Sequence, residues 1–294
     1  MKITLAHSPD ADDAFMFYAL AEGKLKKAGK YEFEHILTDI QTLSHYAIES
    51  PLYDLTAISY HAYAYACKNY ALTRCGSSFG ENYGPVLIIK SCDQEQAELF
   101  LEKIKLGETP VAVPGLMTSA YLSLKLFAPQ AKVVECSFEQ IQDRVQDGTV
   151  EAGLIIHEGQ LTYQKEGFRA LVDLGEWWAK ETLGLPLPLG ANVIRRDLPE
   201  EVKSDLARIL AESIRYSLVH REEALQYALK FGRGLAHREA DRFVGMYVNN
   251  LTLDLGDIGE KAVRLFLERG YQSGLIPQVP VLDFIKSDPV PTNV

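Results

Sequence analysis

The sequence predicts an α/β protein whose mixed sheets are flanked by helices and divided between two lobes with a cleft between them. Three observations carry this. Hydropathy alternates between a period of two residues and one of about 3.6 over the first two-thirds of the chain. Such β-α-β-α punctuation belongs to parallel or mixed sheets covered by helices. The chain has 294 residues, about two domains at roughly 150 residues each, and a block of helices follows its two strand–helix series.

The elements follow in order. Residues 2–7 form a β-prone run. Ser8-Pro9-Asp10-Ala11-Asp12-Asp13 comes next, rich in helix-capping side chains. Residues 14–26 then have helix composition, with Phe15, Phe17, Tyr18 and Leu20 as the apolar part. Residues 31–37 read as a strand, 42–49 as a short helix, 55–59 as a strand and 60–69 as a helix. Gly80-Glu81-Asn82-Tyr83-Gly84-Pro85 is a turn signal ahead of a strand over 86–90. The second series has strands over 110–113 and 132–136, each followed by a helix, over 118–127 and 138–146. Residues 150–157 make a strongly apolar strand. The stretch from there through Trp177-Trp178 to Gly190 reads as irregular, and 191–195 as a strand. Pro199-Glu200-Glu201 opens a helical region reaching 270, since proline and acids suit a helix N-terminus. The tail, with Pro277, Pro280, Pro289 and Pro291, reads as a surface run.

This order fits the two-lobed type II fold of periplasmic binding proteins. Residues 1–88 and 192–294 would form the larger, discontinuous lobe and 89–191 the smaller. Strands near 86–90 and 191–195 would be the crossings. Two consecutive α/β domains would give the same periodicity.

Composition narrows the function classes. Hydrophobic residues make up 47% and charged residues 24%, close to a globular average. No apolar run approaches the roughly 20 residues of a membrane span. The net charge is −10. That disfavours a nucleic-acid partner, because phosphate binding needs clustered Lys and Arg. A small carboxylate remains possible, since a few local donors can hold it. The N-terminus lacks the apolar stretch of a signal peptide, which predicts a cytoplasmic protein. Cys67, Cys75, Cys92 and Cys136 show no CxxC pair, so buried free thiols are expected rather than zinc or disulfides. No pattern specifies an oligomeric state.

Ligands of open α/β sheets bind beyond the carboxyl ends of strands. The residues there are His7, Ser8, Asp10, Asp12 and Asp13, then Ser59, Tyr60 and His61, then Gly115 with Thr118-Ser119, then His157. Gly115 followed by Thr118 and Ser119 at a helix start is the best anion-site candidate, from two hydroxyls, free N–H groups and the helix dipole. Plain N-capping is the alternative. His157 closes Ala152-Gly153-Leu154-Ile155-Ile156 and suits a general base; a satisfied structural histidine is the alternative. The three aspartates could ligate a metal, but capping and first-turn acids are the nearer reading. HExxH, P-loop and GxGxxG patterns do not occur. Trp177-Trp178 reads as lobe packing or cleft wall.

Several segments together resemble a known family. They are Ser8-Pro9-Asp10-Ala11-Asp12-Asp13-Ala14-Phe15-Met16-Phe17-Tyr18, Thr118-Ser119-Ala120-Tyr121, Ala152-Gly153-Leu154-Ile155-Ile156-His157-Glu158, Leu171-Val172-Asp173-Leu174-Gly175-Glu176-Trp177-Trp178, Gly184-Leu185-Pro186-Leu187-Pro188-Leu189-Gly190 and Tyr247-Val248-Asn249. Six in order, over about residues 3–270, resemble the 1,4-dihydroxy-6-naphthoate synthases of the futalosine route to menaquinone. The resemblance implies a lyase that cleaves cyclic dehypoxanthinyl futalosine to 1,4-dihydroxy-6-naphthoate and dihydroxyacetone, with no metal and no organic cofactor. It places the catalytic base on His157, the substrate-contacting hydroxyls on Thr118 and Ser119, and a further contact segment on Ala57-Ile58-Ser59. Ser8 and Asp12 join the expected binding set. Some members read Ser-Pro-Cys-Pro-Asn-Asp at positions 8–13, and some carry lysine at the position of Ala57. The competing expectation is a non-catalytic small-acid binding protein, or a paralogue with a changed substrate, on the same fold.

Overall fold

A computed structural model describes residues 1–231 and 236–285. β1 (Lys2–His7), α1 (Ala11–Ala21), β2 (Glu32–Leu37), α2 (Ile40–Glu49) and β3 (Leu55–Ser59) open the chain. β1 runs parallel to β2 on one side and β3 on the other. α3 (Tyr60–Ala66), β4 (Tyr70–Leu72) and β5 (Ser78–Gly80) follow. The chain then leaves this sheet. β6 (Val86–Lys90), α4 (Gln94–Lys105), β7 (Val111–Val113), α5 (Ser119–Phe127), β8 (Val133–Glu135), α6 (Ile141–Asp147), β9 (Ala152–Ile155) and β10 (Phe168–Asp173) build a second sheet and its helices. Its strand order is β10-β6-β9-β7-β8. α7 (Leu174–Glu181) leads back to β11 (Leu187–Arg195), which inserts antiparallel beside β3. The first sheet is thereby completed in the order β2-β1-β3-β11-β4, with β5 also on β11. α8 (Glu200–Val219), α9 (Arg221–Ala228), α10 (His237–Tyr247), α11 (Asn250–Leu253) and α12 (Gly256–Gln272) finish it.

The mixed α/β architecture with two flanked sheets is the one expected. Its crossings sit beside, not within, the strands expected to cross. β6 lies wholly in the second sheet and β11 wholly in the first. The chain passes over at residues 81–85 and returns through 174–186. These two connections touch backbone to backbone: Leu174 N–H donates to the carbonyl of Pro85 at 2.9 Å. A Cβ on Gly175 would stand 1.9 Å from the carbonyl oxygen of Tyr83, so only glycine fits there.

Other elements differ from expectation. α1 begins at Ala11, three residues early, which puts Asp12 and Asp13 inside its first turn. The apolar strand stops at Ile155. The stretch expected to be irregular holds β10, α7 and the first half of β11. Asp173 makes α7 possible, its carboxylate accepting the N–H groups of Gly175 at 2.8 Å and Glu176 at 3.2 Å. Residues 286–294, with Pro289 and Pro291, and residues 232–235 of the helical region lie outside the described residues.

Two large apolar clusters hold the elements together. One runs through both sheets, from Ile58 and Leu187 to Leu87 and Val111, with Trp178 and Phe266 among its largest members. Trp178 is fully buried, meets Phe266 edge-on at 5.5 Å and donates its indole N–H to the Pro186 carbonyl at 3.1 Å. The second cluster packs α1, through Phe15, Met16 and Phe17, against α8, α9 and α10. All four cysteines are free thiols. No helix among the described residues is long and apolar enough to cross a membrane.

Candidate active site

The carboxyl ends of β1 and β3, the start of β11 and the N-terminus of α5 converge on one cavity of about 790 Å³, partly open to solvent. Ser8, Asp12, Ala57, Ser59, Thr118 and Ser119, scattered over more than a hundred residues of sequence, all line it. β-sheet register explains part of this: Ala57 faces Asn192 and Ser59 faces Gly190 across the β3–β11 pair.

The hydroxyls of Thr118 and Ser119 are already engaged. Thr118 caps α5, its Oγ1 accepting the Tyr121 N–H at 3.1 Å and donating to the Gly115 carbonyl at 2.8 Å. Ser119 Oγ donates to the Leu189 carbonyl at 2.6 Å. Both side chains are buried. The N–H groups of Ser119 and Ala120, in the first turn of α5, have no acceptor among the described hydrogen bonds, and both residues line the cavity. What this helix start offers the cavity is backbone N–H groups and the helix dipole, with the hydroxyls holding it in place. Ser59 plays a similar structural part: its Oγ caps α3 by accepting the Ala62 N–H at 2.9 Å and donates to the Met117 carbonyl.

Asp10, Asp12 and Asp13 line the same cavity. Asp10 occupies the N-cap position of α1, but its side chain makes no cap bond. Asp13, in the first turn, reaches back to the loop before the helix and accepts the Ser8 N–H at 2.9 Å, while Ser8 Oγ donates to Asp10 at 2.8 Å. Burial raises the Asp13 carboxyl to about 6, with the Ser8 N–H opposing. Burial, then the fields of Asp13, Asp10 and Glu158, push Asp12 well above the usual carboxylate range. Both causes favour the neutral form of the Asp12 carboxyl over the charged one. Among the described residues no group of three or more His, Cys, Asp or Glu is arranged to hold a metal ion.

His157 lies just beyond the cavity wall. Ile156 and Gln160 line the cavity; His157 is not among its lining residues. It caps the short 3-10 turn Glu158–Leu161, its Nδ1 accepting the Gly159 N–H at 3.0 Å. Phe138 meets the ring edge-on at 5.6 Å. Nδ1 therefore carries the lone pair, and the proton of the neutral ring sits on Nε2. The other histidines placed near strand ends are core residues. His7 is buried and stacks on Phe17 at 4.5 Å. His61 is buried against Tyr121 at 5.9 Å. Burial lowers each to about 4.

The order of these parts along the chain has counterparts. Residues 3–272 match the family model described as menaquinone biosynthesis. A protein named 1,4-dihydroxy-6-naphthoate synthase from Thermus thermophilus is 40% identical over 267 residues, 90% of this chain and 93% of that one. One of the same name from Streptomyces coelicolor is 34% identical, over 94% of this chain and 95% of that one. The chain belongs to the 1,4-dihydroxy-6-naphthoate synthase family of menaquinone biosynthesis. A crystal structure of a protein from Archaeoglobus fulgidus, 42% identical, superposes with a TM-score of 0.86 over 94% of this chain and 98% of that one. The alkanesulfonate-binding protein SsuA from Xanthomonas axonopodis, 13% identical, superposes with a TM-score of 0.70 over 96% of each chain, which shows the periplasmic-binding-protein fold.

As a member of this family, the chain lines its cavity with residues that strand-end reasoning missed. Tyr247, on α10, donates its hydroxyl to Gln160 Oε1 across the cleft at 2.6 Å. Its position in the Tyr247-Val248-Asn249 segment was the available signal. Burial, with Asp12, Tyr83 and Asp173 nearby, holds its hydroxyl well above the usual range. Asn192, 1% exposed, donates Nδ2 to the Gly76 carbonyl at 2.8 Å. A polar residue in the otherwise apolar run 191–194 was its signal.

Proposed function

We propose that the protein is a carbon–carbon lyase that cleaves cyclic dehypoxanthinyl futalosine to 1,4-dihydroxy-6-naphthoate and dihydroxyacetone. The observation that carries this is the convergence of all six expected binding residues on one cavity, in a chain of this family. The substrate carboxylate docks on the N–H groups of Ser119 and Ala120. Asp12, whose neutral form burial favours, lines the cavity beside the substrate. His157 Nδ1 exchanges the Gly159 N–H for a substrate proton when the ring turns to reach the cavity. Carbon–carbon cleavage follows, driven by formation of the aromatic dihydroxynaphthoate ring. A positioned base contributes about 10²–10⁴-fold in rate, and orientation by the helix terminus adds to it. No residue of this scheme requires a metal or organic cofactor. A cytoplasmic location belongs to the same reading, and cell fractionation checks it.

The test is incubation of metal-stripped protein with cyclic dehypoxanthinyl futalosine, products followed by mass spectrometry, with His157→Asn alongside. The expected result is 1,4-dihydroxy-6-naphthoate from the wild type and a kcat lower by about 10²–10⁴-fold in the variant. Intact substrate after long incubation with the wild type would overturn the activity. Near-wild-type turnover by the variant would overturn the role of His157.

A further inference from the structure

A side chain outside the cavity controls the segment that carries its anion-binding end. Gln41 lies in the first turn of α2, on the first-sheet side. Residues 115–117 and Glu135 belong to the second-sheet side. Three contacts converge on the Gln41 amide. Its Oε1 accepts the Met117 N–H at 2.9 Å. Its Nε2 donates to Glu135 Oε1 at 2.8 Å, and that same oxygen accepts the Leu116 N–H at 3.2 Å. Nε2 also lies 2.9 Å from His45 Nε2. The Met117 carbonyl is held in turn by the Ser59 hydroxyl, again from the first-sheet side. The Met117 residue is thus gripped at both its N–H and its carbonyl across the lobe boundary.

The backbone is shaped to admit this grip. Gly115 has φ +146°, and a Cβ there would stand 2.3 Å from Gln41 Cδ and Oε1. Any other residue at 115 is strained and would expel the amide. The Gly115 carbonyl then accepts both the N–H of Thr118, at 3.3 Å, and its hydroxyl, at 2.8 Å. The order of contact runs from Gln41 to the 115–117 backbone, to Thr118, to the start of α5. Gln41 does not line the cavity.

We propose that Gln41 is a positioning residue. Bridging the lobes, it fixes residues 115–117 so that the N–H groups at the start of α5 face the ligand, and it forms this clasp only when the lobes are together. Its ligand is the aromatic carboxylate of the reading above, on which this part rests. A hydrogen bond to a backbone N–H and another to a carboxylate are lost on truncation, enough for about a tenfold loss of affinity.

The test uses Gln41→Leu and Gln41→Ala in the full chain. Hydrogen exchange of the peptide over 114–121, read by mass spectrometry without ligand, reports the clasp directly. KM and kcat for cyclic dehypoxanthinyl futalosine and the Kd of 1,4-dihydroxy-6-naphthoate report its effect on binding. The expected result is faster exchange at residues 116 and 117, KM and Kd raised about tenfold, and kcat within about threefold of wild type. A merely structural residue would lower Tm without that split between KM and kcat. Exchange unchanged in both variants, or KM and Kd within twofold of wild type, would overturn the proposal. Faster exchange in a protein whose wild type neither binds nor cleaves these compounds would overturn the assigned reaction and support the clasp as a lobe contact.

Discussion

Replacing Asp13 by Asn should stabilise the protein above neutral pH and leave it unchanged in acid. The Asp13 carboxyl, ordinarily near 3.8, is raised by burial to about 6. The unfolded chain therefore releases this proton at lower pH than the folded protein does. Between about 4 and 6 the folded state binds more protons, so stability falls as pH rises through that window, and the loss is complete above it. A shift of about two units corresponds to roughly 3 kcal/mol. Asn keeps an oxygen for the Ser8 N–H that Asp13 accepts at 2.9 Å, and it carries no charge to bury. Thermal unfolding of both proteins from pH 4 to 8 should show the variant higher by about 5 °C at pH 7.5. The difference should shrink toward zero at pH 4. A variant less stable at pH 7.5, or a difference independent of pH, would refute the argument. Natural chains that retain such a destabilising charge commonly do so for function, so turnover should fall as stability rises.

Gly175→Ala should cost at least about 1–3 kcal/mol, because its Cβ would stand 1.9 Å from the Tyr83 carbonyl oxygen and backbone, not side chain, must yield; an unchanged Tm by circular dichroism would count against the packed crossing. Tyr247→Phe removes the hydroxyl that reaches Gln160 across the cleft at 2.6 Å, and KM for the proposed substrate should rise about tenfold with little change in Tm; steady-state kinetics decide it.

The parts of the fold that were legible are those whose own residues make a compact apolar block. β1, β3 and β6 are short apolar runs bounded by turn or cap residues, and they emerged within a residue or two of expectation. β4 and β5 have three residues each, too few to show a period; their partner β11 arrives more than a hundred residues later. β10 is an edge strand, half-buried along most of its length and interrupted by a bulge near Ala170, so its alternation is broken. α7 did carry a signal in Asp173 followed by Glu176, a capping pattern ahead of an apolar pair. α4 went unassigned although Asp93 opens it, its carboxylate accepting the Gln96 N–H at 2.8 Å. At the site, the strand-end rule and the family resemblance found residues on connections after strands. They could not show that the Thr118 and Ser119 hydroxyls are spent on backbone partners, since Leu189 comes from a distant strand. Nor could they place His157 behind the wall, which depends on the chain turning at Glu158.

The insertion of β11 between β3 and β4 has a consequence for synthesis. During translation, β1, β2 and β3 leave the ribosome with one flank of β3 unpaired, and it stays so until residues 187–195 emerge. The second sheet is drawn from one unbroken stretch, 86–173, and can assemble as soon as that stretch is out. The smaller unit should therefore mature first and stand as a preformed platform. Throughout that interval the larger one exposes a fully buried strand, Leu55–Ser59, to any chain that can pair with it. Nascent-chain truncations ending before residue 187 should bind holdase chaperones, and those carried past 195 by the length of the exit tunnel should release them.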